Sequence, residues 1–336
     1  MRSTVCGMLA VTLVVSGCSS ALTGGAPATI ESARAAVSPP PVTAPAGQVL
    51  ALNAAAQSAI FDAALSSLVV FTPGPDPQAP ATLTILGPTD APRTVVLPGG
   101  ATAIAGDGHG MAYVATRGGF VTVDLAASTV TPTVITGEAD TDFTAIARRA
   151  DGRLVLGSAT GVAYTLGADL AVSARSEIFA RVDAIVTEGD IAVVLDRGQT
   201  SVTALNPQGS PQQALRAGLG ATTIDADPVG RVLVADTRGG QLLVFGADPL
   251  IERQAYPVGE SPYGVVGSKT LVWVSTTADN MVVGYDLATG IPVEKVRYPT
   301  VQQPNTLAFD DASGTLYVVS ASGAGVQVIR NAAGRQ

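Results

Sequence analysis

The sequence predicts an all-β protein, a seven-bladed β-propeller whose last blade is closed by a strand from the N-terminal side. Three observations carry that prediction. A unit of about 40 residues recurs seven times. The chain is 47% hydrophobic, yet it contains no run of roughly 20 apolar residues that would span a bilayer. The turns between its apolar runs carry hairpin chemistry.

The first strand of each unit is marked by Ile60, Ile104, Ile146, Ile185, Ile224, Val265 and Leu307, at steps of 44, 42, 39, 39, 41 and 42 residues. Second strands follow at Leu68–Phe71, Ala112–Ala115, Leu154–Leu156, Ala192–Leu195, Val232–Ala235, Leu271–Val274 and Leu316–Val319. These are nearly continuous apolar runs, as expected of strands packed on both faces. The turns before them include Asp107-Gly108, Asp151-Gly152, Pro228-Val229-Gly230 and Ser313-Gly314. Glycine there supplies the positive φ that a tight turn needs. The next turn, Thr116-Arg117-Gly118-Gly119, returns as Thr237-Arg238-Gly239-Gly240, 121 residues or three units later. Third strands read Val121–Leu125, Leu242–Phe245 and Val282–Leu287. The last unit stops soon after Val326–Ile329 and lacks a fourth strand. Gln48–Leu52 precedes the first unit and is predicted to fill that place. Two tandem β-sandwiches are the alternative, and even spacing with an incomplete final unit argues against them.

Ahead of the repeats, Arg2 and the apolar stretch Val5–Val15 have the form of a secretory signal peptide, too short to span a bilayer. The stretch ends in Val15-Ser16-Gly17-Cys18, the order of a bacterial lipobox. The expected organisation is a signal peptide over 1–17, a lipidated Cys18 opening a Pro/Ala/Ser/Thr-rich flexible tether over 18–46, and the propeller over 47–336. Pro39-Pro40-Pro41 and Pro45 favour extended polyproline II in the tether. Cys6 leaves with the signal peptide, so the mature domain has neither a free thiol nor a disulfide. The expected location is the extracytoplasmic face of the cell membrane, anchored by the lipid, with the protein as a monomer.

The chain has 17 Arg and 2 Lys with abundant Ala, Val and Gly, a composition typical of high-GC genomes. After loss of residues 1–17, 18 basic residues face 27 acidic ones, a net charge of −9. Nucleic-acid binding is therefore not expected, because phosphate contacts require a basic face.

The repeats resemble the YVTN/NHL-type propeller superfamily. The stretches Asp142–Arg149, Val194–Val202, Val234–Leu242 and Thr289–Asn305 resemble mycobacterial LppL-like lipoproteins. That resemblance implies an actinobacterial envelope lipoprotein carrying a propeller. It implies no activity and no catalytic residues.

Catalytic constellations are sparse. His109 is the only histidine and sits in the turn Gly106–Gly110, so neither a His-based triad nor a zinc cluster is expected. Trp273 is the only tryptophan and lies in a strand, where packing is its expected role. No GK[ST] or GxGxxG follows a strand. No cofactor is predicted. What remains is a polar face on which turns between second and third strands meet the blade connections. It gathers Arg117, Asp196, Arg197, Asp236, Arg238, Asp279 and Asn280, with Gln302, Gln303 and Asn305 near the channel. These residues either recognise a polar partner or pair with one another across neighbouring blades. The loop Thr72–Pro80, stiffened by four prolines, is a second candidate.

The leading expectation is a non-enzymatic binding or scaffold module that docks envelope proteins or glycans. One alternative is a hydrolase or lactonase with a carboxylate–amide metal site in the channel. Another is a small-ligand sensor, which predicts a preformed and partly apolar pocket at the channel mouth.

Overall fold

Strand periodicity becomes a ring of sheets. A computed structural model describes residues 27–334 apart from 53, 89 and 90. Among the described residues it contains seven four-stranded antiparallel sheets and no helix. The inner strands are Ser58–Asp62, Ala101–Gly106, Phe143–Arg148, Ala184–Glu188, Ala221–Ala226, Pro262–Gly267 and Pro304–Asp310, belonging to blades one to seven in order. Each predicted first-strand marker lies on one of them. Blade seven is completed by Gln48–Leu50, which pairs antiparallel with Val326–Ile329 in the register Gln48↔Val328, Val49↔Gln327, Leu50↔Val326. The ring is thus closed by hydrogen bonds between residues some 280 positions apart.

The core is distributed between blades. Seven apolar clusters each draw on two neighbouring sheets, one cluster in every gap of the ring. This explains why second and third strands read as unbroken apolar runs: both faces meet a neighbour. In the gap between blades six and seven, the fully buried Trp273 stacks at 5.9 Å on Phe309 and at 6.5 Å on Tyr298.

Outer strands follow a different rule. Pro211–Arg216 and Leu250–Pro257 are exposed over most of their length, because they face solvent at the rim. Their polar character is why the repeat shows three strong strands per unit in the sequence and the fourth only weakly.

Residues 27–46 contain no strand or helix, and they are docked on the propeller. They lie across blades four to seven and lead into the closing strand. Ile30 N–H donates to Gly198 O at 2.8 Å, and Ala46 N–H donates to Pro299 O at 3.0 Å. Ala33 and Ser38 are buried. The physical reason is that a Pro- and Ala-rich segment costs little conformational entropy to order. Side-chain donors on the propeller satisfy its carbonyls.

Candidate functional site

The inner strands build the channel. Each aliphatic marker has a companion two positions earlier in the sequence. The markers Ile60, Ile104, Ile146, Ile185, Ile224, Val265 and Leu307 all line the channel and form an aliphatic girdle. Their companions are Ser58, Thr102, Thr144, Asp183, Thr222, Tyr263 and Asn305, and all of these also line it. The result is a cavity of about 370 Å³ with a polar collar above an apolar ring.

The collar coincides with a recurrent irregularity. In blades two, three, five, six and seven the pairing of the inner strand shifts register at or beside the collar residue. A bulge of this kind re-aims a side chain. Here it turns hydroxyls toward the next blade. Thr102 Oγ1 donates to Phe143 O at 2.6 Å and Thr144 Oγ1 to Val182 O at 2.5 Å. Farther round the ring, Ser275 Oγ donates to Pro304 O at 2.5 Å, Thr306 Oγ1 to Gln57 O at 3.2 Å, and Gln57 Nε2 to Thr102 O at 2.6 Å. Between blades five and six, Thr223 donates to the Tyr263 carbonyl. These bonds tie neighbouring blades together around the channel, and two collar hydroxyls, Thr102 and Thr144, are used in them.

At the mouth a second cavity of about 430 Å³ shares Gln57, Thr102, Thr144 and Asp183 with the channel. Its outer walls are Pro73–Pro77 on one side and Arg181 with Arg197 on the other. The proline loop of blade one thus stands at the rim of the opening. Asp183 accepts from Arg197 N–H at 2.8 Å and from Arg181 Nε at 3.1 Å. Burial raises its pKa, with those two contacts opposing the shift.

Beyond the girdle lies Asp225. It lines the channel and is half-buried. Burial pushes its carboxyl up to about 7, the Gly267 N–H opposes that shift, and the nearby charge of Asp227 adds to it.

The sequence-selected polar face resolves into three groups. Asp196 and Asp236 are buried and bind backbone. Asp236 accepts from the N–H groups of Leu219, Gly220 and Gly239 at 2.8–3.0 Å. Asp196 accepts from those of Ala180, Arg181 and Gln199 at 2.7–3.2 Å. A Cβ on Gly218 or Gly239 would come within 2.0 Å of the Asp236 carboxylate, so glycine is required on both sides of it. These aspartates fasten a blade connection to the following hairpin, and their side chains are not free to meet a partner.

The second group binds the docked N-terminal segment. Arg238 Nη2 donates to Glu31 O at 2.7 Å, Arg197 Nη2 donates to Ala33 O, and Asn280 Nδ2 donates to Pro39 O at 2.7 Å. Gln302 Nε2 donates to Ser38 O at 2.9 Å, and Gln303 Nε2 to Ala36 O at 2.9 Å. Gln303 Oε1 accepts from Ser38 N–H at 3.0 Å. Among the described residues, neither Arg197 nor Arg238 forms an ion pair with a carboxylate; pairing of Arg with carboxylate between blades, the other reading of this face, occurs at Arg117.

The third group stands apart. Arg117 is exposed and pairs with Asp140 at 3.1 Å and Asp142 at 2.9 Å. Asp279 is exposed and accepts from Thr276 Oγ1 at 2.5 Å. Asn305 alone lies in the channel, where Gln303 Nε2 donates to its Oδ1 at 3.0 Å. Cys18 lies outside the described residues. Sequence reasoning passed over Asp183 and Asp225. Their signal was available: both sit at fixed offsets from the first-strand markers.

With this geometry in hand, comparison with known proteins adds the fold. No protein-family model and no curated protein sequence matches the chain. Solved propellers do. A chain of the mitotic checkpoint complex superposes with a TM-score of 0.71 at 12% identity, over 97% of this chain and 98% of that one. A streptogramin B lyase gives 0.69 at 9% identity, over 84% and 96%. A chain of Kuenenia stuttgartiensis hydrazine synthase gives 0.66 at 11% identity, over 86% and 99%. The shared property is the β-propeller. At such identities the likeness extends to fold and not to activity.

Among the described residues, no three His, Cys, Asp or Glu side chains gather as a metal set. Asp183 and Asn305 sit in the collar, and Asp225 lies past the girdle.

Proposed function

We propose that the chain is an extracytoplasmic lipoprotein anchored through Cys18, whose propeller is a non-enzymatic module binding a small ligand in its channel. The ligand part is carried by one observation: a preformed cavity, polar at the mouth and aliphatic below, continuous with an open cleft. Docking of a large envelope protein or glycan on the polar face draws less support. Five residues of that face, Arg197, Arg238, Asn280, Gln302 and Gln303, are engaged by the chain's own segment.

The anchor part rests on the Val15–Cys18 pattern. The link from Cys18 to residue 27 spans at most roughly 30 Å when fully extended. A lipid on Cys18 would therefore keep the start of the docked segment within that distance of the membrane.

Each part has its own test. Metabolic labelling with a palmitate analogue should mark the protein in the membrane fraction, and Cys18→Ala should lose both label and membrane association. Unchanged fractionation of the variant contradicts the anchor. For the ligand, a small-molecule thermal-shift screen on the full chain should give hits that disappear in Ile224→Trp, which narrows the girdle. Hits that survive the substitution contradict the channel.

A further inference from the structure

Asp225 is the charged channel side chain whose hydrogen-bonded contacts are backbone. It follows Ile224 on the inner strand of blade five, on the far side of the girdle from the collar. Its Oδ2 accepts from Gly267 N–H at 2.9 Å. The ion pairs among the described residues do not include it. Arg231, on the neighbouring strand of the same blade, pairs with Asp227 at 2.5 Å. The other charged lining residue, Asp183, is met by the Arg181 guanidinium at the mouth. The channel thus combines an aliphatic ring with a half-buried carboxylate that has no ion-pair partner among the described residues.

That combination selects a chemical class. Burying a carboxylate without a compensating cation is costly, and an incoming cation offsets that cost. A bare divalent ion is a poor match, because a hard cation such as Ca²⁺ needs six or more oxygen ligands. The wall around Asp225 offers methyl groups. An ammonium on an alkyl body matches both surfaces, with its N–H donors on the carboxylate and its carbons on the girdle. We propose that the channel binds a small organic ammonium ion, its nitrogen on Asp225 and its apolar part against the aliphatic girdle. This rests on the reading of the channel as a ligand site and names the class of ligand.

The test is calorimetric titration of the full chain at pH 8 with hexylammonium and, separately, with hexan-1-ol, which shares the alkyl body and lacks the charge. The expected result is at least tenfold tighter binding of hexylammonium. In Asp225→Asn the two ligands should bind within about threefold of each other. Equal binding of both by the unaltered chain overturns the counter-ion role and leaves the channel reading intact. Binding of neither overturns both. An ammonium preference that persists in Asp225→Asn assigns the cation to another group and overturns the proposal. Should that variant fail to fold, the comparison of amine with alcohol on the unaltered chain still decides, with hexanoate as a further arm: tighter binding of hexanoate than of hexanol contradicts a cation site.

Discussion

Gln303→Ala tests whether the docked N-terminal segment is held by the propeller face. Gln303 makes two bonds to that segment, accepting from Ser38 N–H at 3.0 Å and donating to Ala36 O at 2.9 Å. A net hydrogen bond contributes about 0.5–1.5 kcal/mol, so the pair is worth about 1–3 kcal/mol to docking. Removing the side chain strips that stabilisation from a local opening; within the blades it removes one further bond, to Asn305 Oδ1 at 3.0 Å. Native-state hydrogen exchange reads the effect directly. The Ser38 amide should exchange about 5- to 150-fold faster in the variant, the ratio that 1–3 kcal/mol implies. Amides of the inner strands of blades one to six should not change, because Gln303 makes no side-chain bond to them and the gaps between blades are apolar. An unchanged Ser38 rate, or one already unprotected in the parent chain, refutes the reasoning.

Three further outcomes follow from the same geometry. Asp236→Ala leaves three backbone N–H groups without their acceptor; it should lower unfolding free energy by at least about 3 kcal/mol in denaturant titration. Trp273→Ala empties the gap between blades six and seven and should cost about 3–5 kcal/mol in the same assay. Asp225 sets a pH dependence: its folded pKa of about 7 lies above the ordinary carboxylate value of 3.8. Its contribution is thus fully present below about pH 4 and is lost as pH rises through 7, by up to about 4 kcal/mol. Asp225→Asn should match the parent in stability near pH 4 and exceed it at pH 8; equal pH profiles would contradict the buried charge.

Much of the ring was legible in the sequence because burial on two faces writes a strong signal. Strands such as Val232–Ala235 and Leu271–Val274 have no polar side to confuse their assignment. The closing strand was legible from counting, since the final unit lacked a partner for Val326–Ile329. The channel was half legible. The aliphatic markers that set the repeat turned out to be its girdle, but the bulges that aim Thr102 and Thr144 across the gap leave no composition signature. The use of the polar residues was hidden. Asp196 and Asp236 look like surface charges in sequence, and only the fold shows their carboxylates turned onto backbone amides. Arg238 and Gln303 contact residues more than 200 positions away, and no local pattern encodes that. The docking of residues 27–46 was hidden for the same reason: their lack of periodicity says nothing about carbonyls that side-chain donors can capture.

The channel as the ligand site is tested most directly by methyl NMR of the full chain with a small molecule that raises its melting temperature. The δ-methyl signals of Ile60, Ile104, Ile146, Ile185 and Ile224, which share the girdle, should shift together on titration. Those of Ile30, Ile251 and Ile291, exposed outside it, should stay in place. Shifts confined to the second set, with the girdle silent, would contradict the account.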